Sequence, residues 1–455
     1  MKRRRLFTTT RIILVGFLAG IALGTGLLML PISSKTGEVT DFSDALFMAT
    51  SSICVTGLAT VSPAGHFSAF GQAVMLFLIQ FGGLGVVTFT TALLLLVGKR
   101  ITLTDRMLIQ EAYNLDTLSG LVRLTLKILK GTLLIEGLGA LLYLPVFCSD
   151  PEIGLGRGIW VSVFTAVSAF CNAGLDLLGD SSLIAYRGNL LVNFTTMALI
   201  VIGGLGFPVW WELLRVWRLE RKWNWKRSPW KSLNLHAKLV LFMTALLIFG
   251  GAFLTFLLEY DNPDTLGGLP LGEKLLASLF QSVTLRTAGF ATIPQENFRH
   301  VTCLLFILFM FIGGSPSSTA GGIKTVTAAL IAASVVSIVR GKPDTELFRR
   351  RVTDAVVRKA LAVMMVSLSA LFLLTFAVMY VQDGDYLDTM FEMTSAIATV
   401  GLSRGMTGTL HVLGKLIVVL TMYLGRVGPI SLALAFNVEA KKKHALAAEG
   451  KVRVG

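Results

Sequence analysis

Ile53-Cys54-Val55-Thr56-Gly57-Leu58, Phe170-Cys171-Asn172-Ala173-Gly174-Leu175, Leu285-Arg286-Thr287-Ala288-Gly289-Phe290 and Ile397-Ala398-Thr399-Val400-Gly401-Leu402 are four tails of one kind. Their glycines stand 117, 115 and 112 residues apart, and so regular a period is the mark of an internal repeat. Before each tail lies a weakly apolar, helix-like stretch too brief to cross a bilayer, with matching lead-ins that end at Phe47, Phe164, Phe280 and Phe391. After each tail comes a long apolar segment with a glycine-rich kink: Phe81-Gly82-Gly83-Leu84-Gly85, Ile202-Gly203-Gly204-Leu205-Gly206, Ile312-Gly313-Gly314-Ser315 and Leu424-Gly425-Arg426-Val427-Gly428. The unit reads span, half-helix, tail, span. The sequence divides into residues 1–110 (tail 54–58), 111–234 (tail 171–175), 235–345 (tail 286–290, with an intramembrane loop at 313–324) and 346–455 (tail 398–402, then a short basic end).

Composition agrees with that division. Apolar residues make up 54% of the 455 and charged residues only 15%, against about 25% charged in a soluble chain. An ordinary soluble enzyme is excluded, and apolar blocks of about 20 residues are long enough to cross a bilayer as helices. The first block, Ile12 to Leu30, reads as a span and not a cleaved leader, because Pro31-Ile32-Ser33 follows in place of a small-residue cleavage site. Basic residues outnumber acidic ones by 41 to 27, and 31 of the 41 fall in five clusters, at 2–11, 99–130, 215–238, 340–359 and 441–453. By the positive-inside rule all five lie in the cytoplasm, which leaves four round trips between them. The expected fold is therefore an all-α polytopic membrane protein: eight full transmembrane helices and four re-entrant half-helices, in four parallel repeats about one pseudo-fourfold pore. Both termini fall inside. The positive charge is a topology signal and no nucleic-acid partner is expected, while the outer turns carry acids such as Asp41, Asp44, Asp150, Asp261 and Asp388.

Non-helical backbone at membrane depth must be buried in protein or line a watery cavity. Four tails that meet on one axis satisfy this, with carbonyl oxygens replacing the water shell of a monovalent cation and half-helix C-termini adding partial negative charge. Glycine suits such a lining, since it takes positive φ without steric cost. Tight glycine turns that merely cap core helices would explain any single tail, but they explain four in register poorly.

These tails and kinks, together with the stretch Gly313 to Lys324 and the lone Arg426, resemble the Trk/Ktr/HKT superfamily of potassium transporters. The resemblance is greatest to its bacterial KtrB type of membrane subunit and covers almost the whole chain. It implies one filter glycine per tail, here Gly57, Gly174, Gly289 and Gly401, in a potassium selectivity filter of Val55, Thr56, Gly57, Asn172, Ala173, Gly174, Thr287, Ala288, Gly289, Thr399, Val400 and Gly401. Coordination would run mainly through main-chain oxygen, which explains how the side chains can differ between tails.

The run Gly313, Gly314, Ser315, Pro316, Ser317, Ser318, Thr319, Ala320, Gly321 and Gly322, followed by Ile323 and Lys324, cannot continue an apolar helix. It must form an irregular loop under the filter. The resemblance implies that this loop is a gate; a static kink is the alternative. Arg426 lies in the last span, where a charged residue costs about 2.5–3.5 kcal/mol on insertion scales. The resemblance implies a gating role, and the alternative is pairing with a buried acid such as Glu136.

No catalytic constellation is present, and no enzyme activity is expected. Gly98-Lys99, Gly341-Lys342, Gly414-Lys415 and Gly450-Lys451 are not followed by Ser or Thr, so no phosphate-binding Walker loop exists. The five histidines lack metal-site spacing. The Trp-rich run at Trp210, Trp211, Trp217, Trp223, Trp225 and Trp230 fits an aromatic belt beside a basic juxtamembrane segment.

The resemblance further implies gated inward potassium uptake driven by membrane potential, with a less selective sodium and potassium path as the alternative. It leaves open whether sodium is coupled or merely activating. It implies a homodimer in the bacterial cytoplasmic membrane, in contact with its lipids, that works with a cytosolic ring of nucleotide-binding RCK subunits of the KtrA type. Nucleotide would bind that partner only. No covalently bound cofactor is implied, and potassium itself would be held by filter carbonyls alone.

Overall fold

The computed structural model of the chain describes residues 9–96, 107, 110, 121–179, 182–222 and 229–428. The basic clusters at residues 2–5 and 441–453, Lys99, Arg100 and Arg106 of the second cluster, Lys226 and Arg227 of the third, and Trp223, Trp225 and His444 lie outside those residues. The described chain is helical, apart from one small hairpin in which Thr345–Leu347 pairs with Arg350–Val352.

Four long helices, Thr9–Leu28, Leu121–Phe147, Leu235–Glu259 and Asp354–Val381, are apolar and long enough to cross a membrane. Even the 20 residues of Thr9–Leu28, at about 1.5 Å rise each, match the ~30 Å hydrocarbon layer. After each comes a shorter helix: Phe42–Cys54, Leu155–Cys171, Leu271–Thr284 and Tyr386–Ala398. Two of these start on aspartate caps. The Asp41 carboxylate accepts from the Ser43 amide and the Asp385 carboxylate from the Leu387 and Asp388 amides, which satisfies donors that a helix start leaves free. Phe47, Phe164, Phe280 and Phe391, one on each short helix, are fully buried, so these helices lie inside the bundle and not on its surface.

The second apolar segment of each quarter does not run straight. Ala69–Leu84 gives way to Val86–Leu96 at Gly85, and Leu190–Leu205 gives way to Phe207–Lys222 at Gly206 with a bend of 97°. His300–Phe311 and Thr325–Val339 are separated by the irregular stretch 312–324, and Val412–Val427 stops at Gly428. Gly85, Gly206 and Gly428 have φ of 81°, 88° and 88°, a conformation that no right-handed helix contains. Eight full crossings, the second of each quarter kinked at glycine and the third of these interrupted at 313–324, are the sequence expectation. The described residues hold four helices that pass by length and composition, or five if the bent pair is one span. Hydropathy counts apolar residues and is blind to a single positive-φ peptide, so it overestimates continuity here.

Each short helix packs against the second helix of the preceding quarter: Leu155–Cys171 against Ala69–Leu84, Leu271–Thr284 against Leu190–Leu205, Tyr386–Ala398 against His300–Phe311, and Phe42–Cys54 against Val412–Val427. The arrangement is cyclic, and the first and last quarters meet. Lys415 Nζ lies 2.6 Å from Asp44 Oδ1, and the Tyr423 hydroxyl donates to Leu14 O at 3.1 Å.

Glycine lets the second helices come close to the short ones. A Cβ on Gly82, Gly203 or Gly425 would collide with the carbonyl oxygen of Ile53, Phe170 or Ile397, respectively, each in the last turn of a short helix. Overpacking of this kind costs about 1–3 kcal/mol or more. Gly82→Ala, Gly203→Ala and Gly425→Ala should each lower the melting temperature of the detergent-solubilised protein by several degrees. Gly137→Ala, where an added Cβ meets nothing within 4 Å, should leave it unchanged. Equal melting of the two groups would refute the close-approach account.

Candidate functional site

The four tails converge on one another. A Cβ built on Gly57 would lie 2.6 Å from Ala173 O, on Gly174 2.8 Å from Ala288 O, on Gly289 2.5 Å from Val400 O, and on Gly401 in collision with Thr56 O. Each glycine therefore faces the carbonyl oxygen that precedes the glycine of the next tail, and the cycle closes. The four φ values, 100°, 67°, 82° and 96°, independently favour glycine. On one side of this ring a cavity of about 620 Å³ is lined by all four glycines together with Asp176, Glu296 and Arg404.

The tails take this course because each short helix is wound off at its C-terminus. Val55, Asn172 and Thr399 cap three of these helices with φ of 56°, 60° and 52°, and Thr287 stands at 69° in the other tail. Sequence reasoning assigned positive φ to glycine alone. A β-branched residue in that region is uncommon, and here it recurs two residues before the glycine in three tails of four.

Hydroxyls on the short helices hold the turned chain. The Gly57 amide donates to Ser51 Oγ at 3.1 Å and the Gly401 amide to Ser395 Oγ at 3.0 Å. Ser168 Oγ donates to Leu175 O at 2.6 Å, and Thr284 Oγ1 to Phe290 O at 2.6 Å. The amides of Thr56, Ala173, Ala288 and Val400 turn back to Ser51, Ser168, Thr284 and Ser395 carbonyls. Donors thus point away from the ring. The carbonyl oxygens of residues 55–57, 172–174, 287–289 and 399–401 accept no hydrogen bond from any described residue. Such a cluster of oxygen acceptors can take the place of water around a cation. The hydroxyl set was missed in the sequence, although a serine six residues before the glycine in three tails is the signal that marks it.

Beneath the ring sits the stretch from Gly313 to Lys324. It satisfies much of its own backbone, with Gly313 N donating to Ile323 O, Gly314 N to Gly321 O and Thr325 N to Gly314 O. Ser318 Oγ donates to Ser315 O, and Lys324 Nζ donates to Ala320 O at 2.7 Å. The stretch is also joined to the bend at Gly206: Ser315 N donates to Gly204 O at 3.0 Å, Thr319 N to Gly203 O at 3.3 Å, and Phe207 N to Ser317 O at 3.0 Å. A Cβ on Gly321 would lie 2.7 Å from Ala398 O and against Thr399 Oγ1. The stretch therefore touches the base of the fourth tail.

Arg426 occupies the last turn of Val412–Val427. Its Nη1 donates to Thr319 O at 2.5 Å and its Nη2 to Gly82 O, so one guanidinium joins the 313–324 stretch to the first quarter. Glu136 is engaged elsewhere. Gln80 Nε2 donates to its Oε2 at 3.2 Å and the Cys171 thiol lies 3.8 Å from its Oε1. The alternative pairing of Arg426 with Glu136 is thus not the one adopted.

Outside the membrane-spanning segments, hydrogen bonds from Ser43 hold the Asp41 carboxyl below its ordinary value and one from the Tyr186 hydroxyl does the same for Asp150. Both turns stay anionic. Arg404, which sequence reasoning overlooked, is neutralised at the 620 Å³ cavity by Asp388, Nε to Oδ1 at 2.6 Å, and also donates to Gln295 O.

Known proteins are similar to this chain. A family profile described as TrkH, cation transport protein, matches residues 5–445. The Ktr system potassium uptake protein B of Bacillus subtilis is 40% identical over 430 residues, covering 94% of this chain and 93% of that protein. The potassium/sodium uptake protein NtpJ of Enterococcus hirae is 39% identical over 446 residues, covering 97% and 96%. Among solved structures, that of the potassium transporter TrkH from Vibrio parahaemolyticus aligns with a TM-score of 0.73 and 16% identity, over 96% of this chain and 86% of its own; it shows the fold. With a matching profile over nearly its whole length and relatives near 40% identity, the chain belongs to the TrkH family of cation transport proteins, which are transporters and not enzymes.

Proposed function

We propose that the chain is the ion-translocating subunit of a gated potassium uptake system. The observation that carries this reading is the closed ring in which each tail glycine faces the carbonyl oxygen of the next tail. Residues 55–57, 172–174, 287–289 and 399–401 then form a filter that offers oxygen and no donor to a dehydrated potassium ion. The four short helices act as re-entrant half-helices, and the broken second segments complete eight crossings, in four parallel repeats with the basic ends in the cytoplasm of a bacterial cell. Inward movement needs no fuel in this chain. One charge falling through 100 mV releases about 2.3 kcal/mol, which supports roughly fiftyfold accumulation.

The stretch Gly313 to Lys324 is the gate in this reading, and Arg426 is its latch. Two charge-assisted bonds hold the loop against the first quarter, Gly321 lies against the filter base, and a positive charge beneath the filter opposes cations until it moves. Two relatives are named as components of a Ktr system, which supports a partner for this chain. We take it to be a cytosolic nucleotide-binding ring of the KtrA type acting on a homodimer. A second reading, a less selective sodium and potassium path, is favoured by the printed name of the Enterococcus relative.

Competition between potassium and sodium in proteoliposomes separates the two readings. The unaltered chain should prefer potassium, and Gly401→Ser, which adds a Cβ against Thr56 O, should lose most of that preference. An unchanged preference in the variant would contradict the filter assignment.

Arg426→Ala removes hydrogen bonds to a charged group worth about 1.5–3 kcal/mol each, and 1.4 kcal/mol is about tenfold in an equilibrium. Potassium influx should rise by about tenfold or more with normal folding, as read by the melting temperature. A fall in influx, or no change, would remove Arg426 from the gate.

A further inference from the structure

The helix Phe207–Lys222 follows the bend of the second quarter, and its exposed side has no part in the filter or the gate. Its segment Phe207–Leu219 leaves Leu190–Leu205 at 97°, so the two helices cannot both run along the membrane normal. At 3.6 residues per turn its side chains fall into three arcs. Val209, Glu212 and Val216 are buried, and the two valines pack on Leu233, Ala237, Val240 and Val326. The next arc is apolar and open: Leu213, Leu214 and Trp217 are 37%, 40% and 56% exposed. Arg215 and Arg218 follow on the third arc, both exposed.

We propose that Phe207–Lys222 is an interfacial helix that docks on an anionic lipid surface and couples that surface to the 313–324 loop. An open apolar arc flanked by arginine is the pattern of a helix lying in the headgroup layer, and anionic lipid complements the basic side. Two fastenings make the helix a lever. At one end Phe207 N donates to Ser317 O, with Ser315 N and Thr319 N bonded just beyond the bend. In the middle, the Glu212 carboxylate accepts from Arg215 Nε at 2.8 Å, Arg215 Nη2 at 2.7 Å and the Asn234 amide at 2.8 Å. A displacement of the helix at the lipid surface is thereby transmitted to the loop. The coupling rests on the gate reading given above; the docking does not.

The test uses the full chain in phosphatidylcholine vesicles, with and without phosphatidylglycerol. Chain-brominated lipid should quench Trp217, read as the emission lost between the unaltered chain and Trp217→Phe. Phosphatidylglycerol should raise potassium influx severalfold in the unaltered chain. Leu213→Gln combined with Arg218→Gln should keep the influx seen in phosphatidylcholine and lose the increase. An unquenched Trp217 overturns the proposal, and so does the same lipid response in the double variant. If Trp217 is shielded and Leu214→Cys cross-links two copies, the surface is a contact between copies and the lipid proposal falls. Failure of the transport reading looks different: Gly401→Ser would then leave ion preference unchanged, while the quenching result would still stand.

Discussion

Main-chain oxygen without a donor partner is the constraint around which this bundle is organised. A buried polar group left unpaired costs about 1–3 kcal/mol, and the chain carries such groups at residues 55–57, 172–174, 287–289 and 399–401. The amides of Thr56, Ala173, Ala288 and Val400 are led away to short-helix carbonyls, and those of Gly57 and Gly401 to serine hydroxyls. The αL caps at Val55, Asn172 and Thr399 produce that turn, and glycine at the next-but-one position lets the neighbouring carbonyl approach. Long helices, kinks and buried phenylalanines serve to hold the four strained turns at one point.

The parts of this arrangement that were legible in the sequence are those where only one residue type suffices. Gly57, Gly174, Gly289 and Gly401 must combine positive φ with an absent side chain, and Gly82, Gly203 and Gly425 must admit a carbonyl oxygen at contact distance. Each such demand leaves a glycine at a fixed period. Where several residue types serve, the record is weaker. Val, Asn and Thr all occupy the αL cap, so propensity pointed away from it. The Ser51, Ser168 and Ser395 register is broken in the third tail, where Thr284 takes over one place along. Breaks within the second helices were read as kinks in spans, since composition on either side of Gly85 is equally apolar and the stretch just after Gly206, Phe207 to Trp211, carries no charge. The partners of Arg426, a pair of carbonyls on distant segments, leave no trace in local sequence.

The third quarter departs from the others in a consistent manner. Its second segment opens into the 313–324 loop, its hydroxyl staple is shifted, and Arg286 stands where two other tails carry Cys54 and Cys171. Arg286 is 4% exposed, and its Nε has no hydrogen-bond partner among the described residues. Four identical subunits could not place a single loop beneath a central ring. Four quarters within one chain can, because each diverges separately while the backbone geometry at the glycines is kept.

The cyclic packing has a consequence for how the protein is made. The seam between the first and last quarters contains the Gly401 approach to Thr56 O, the Lys415–Asp44 ion pair and the Tyr423 bond to Leu14 O. Synthesis proceeds from the N-terminus, so a nascent chain emerging from the ribosome carries three quarters in the bilayer well before their closing partner exists. Throughout that interval the unpaired carbonyls have a gap on one side, open to lipid or to an insertion factor. Premature termination anywhere before Val412–Val427 leaves an unsealed crescent, a natural target for membrane quality-control proteolysis.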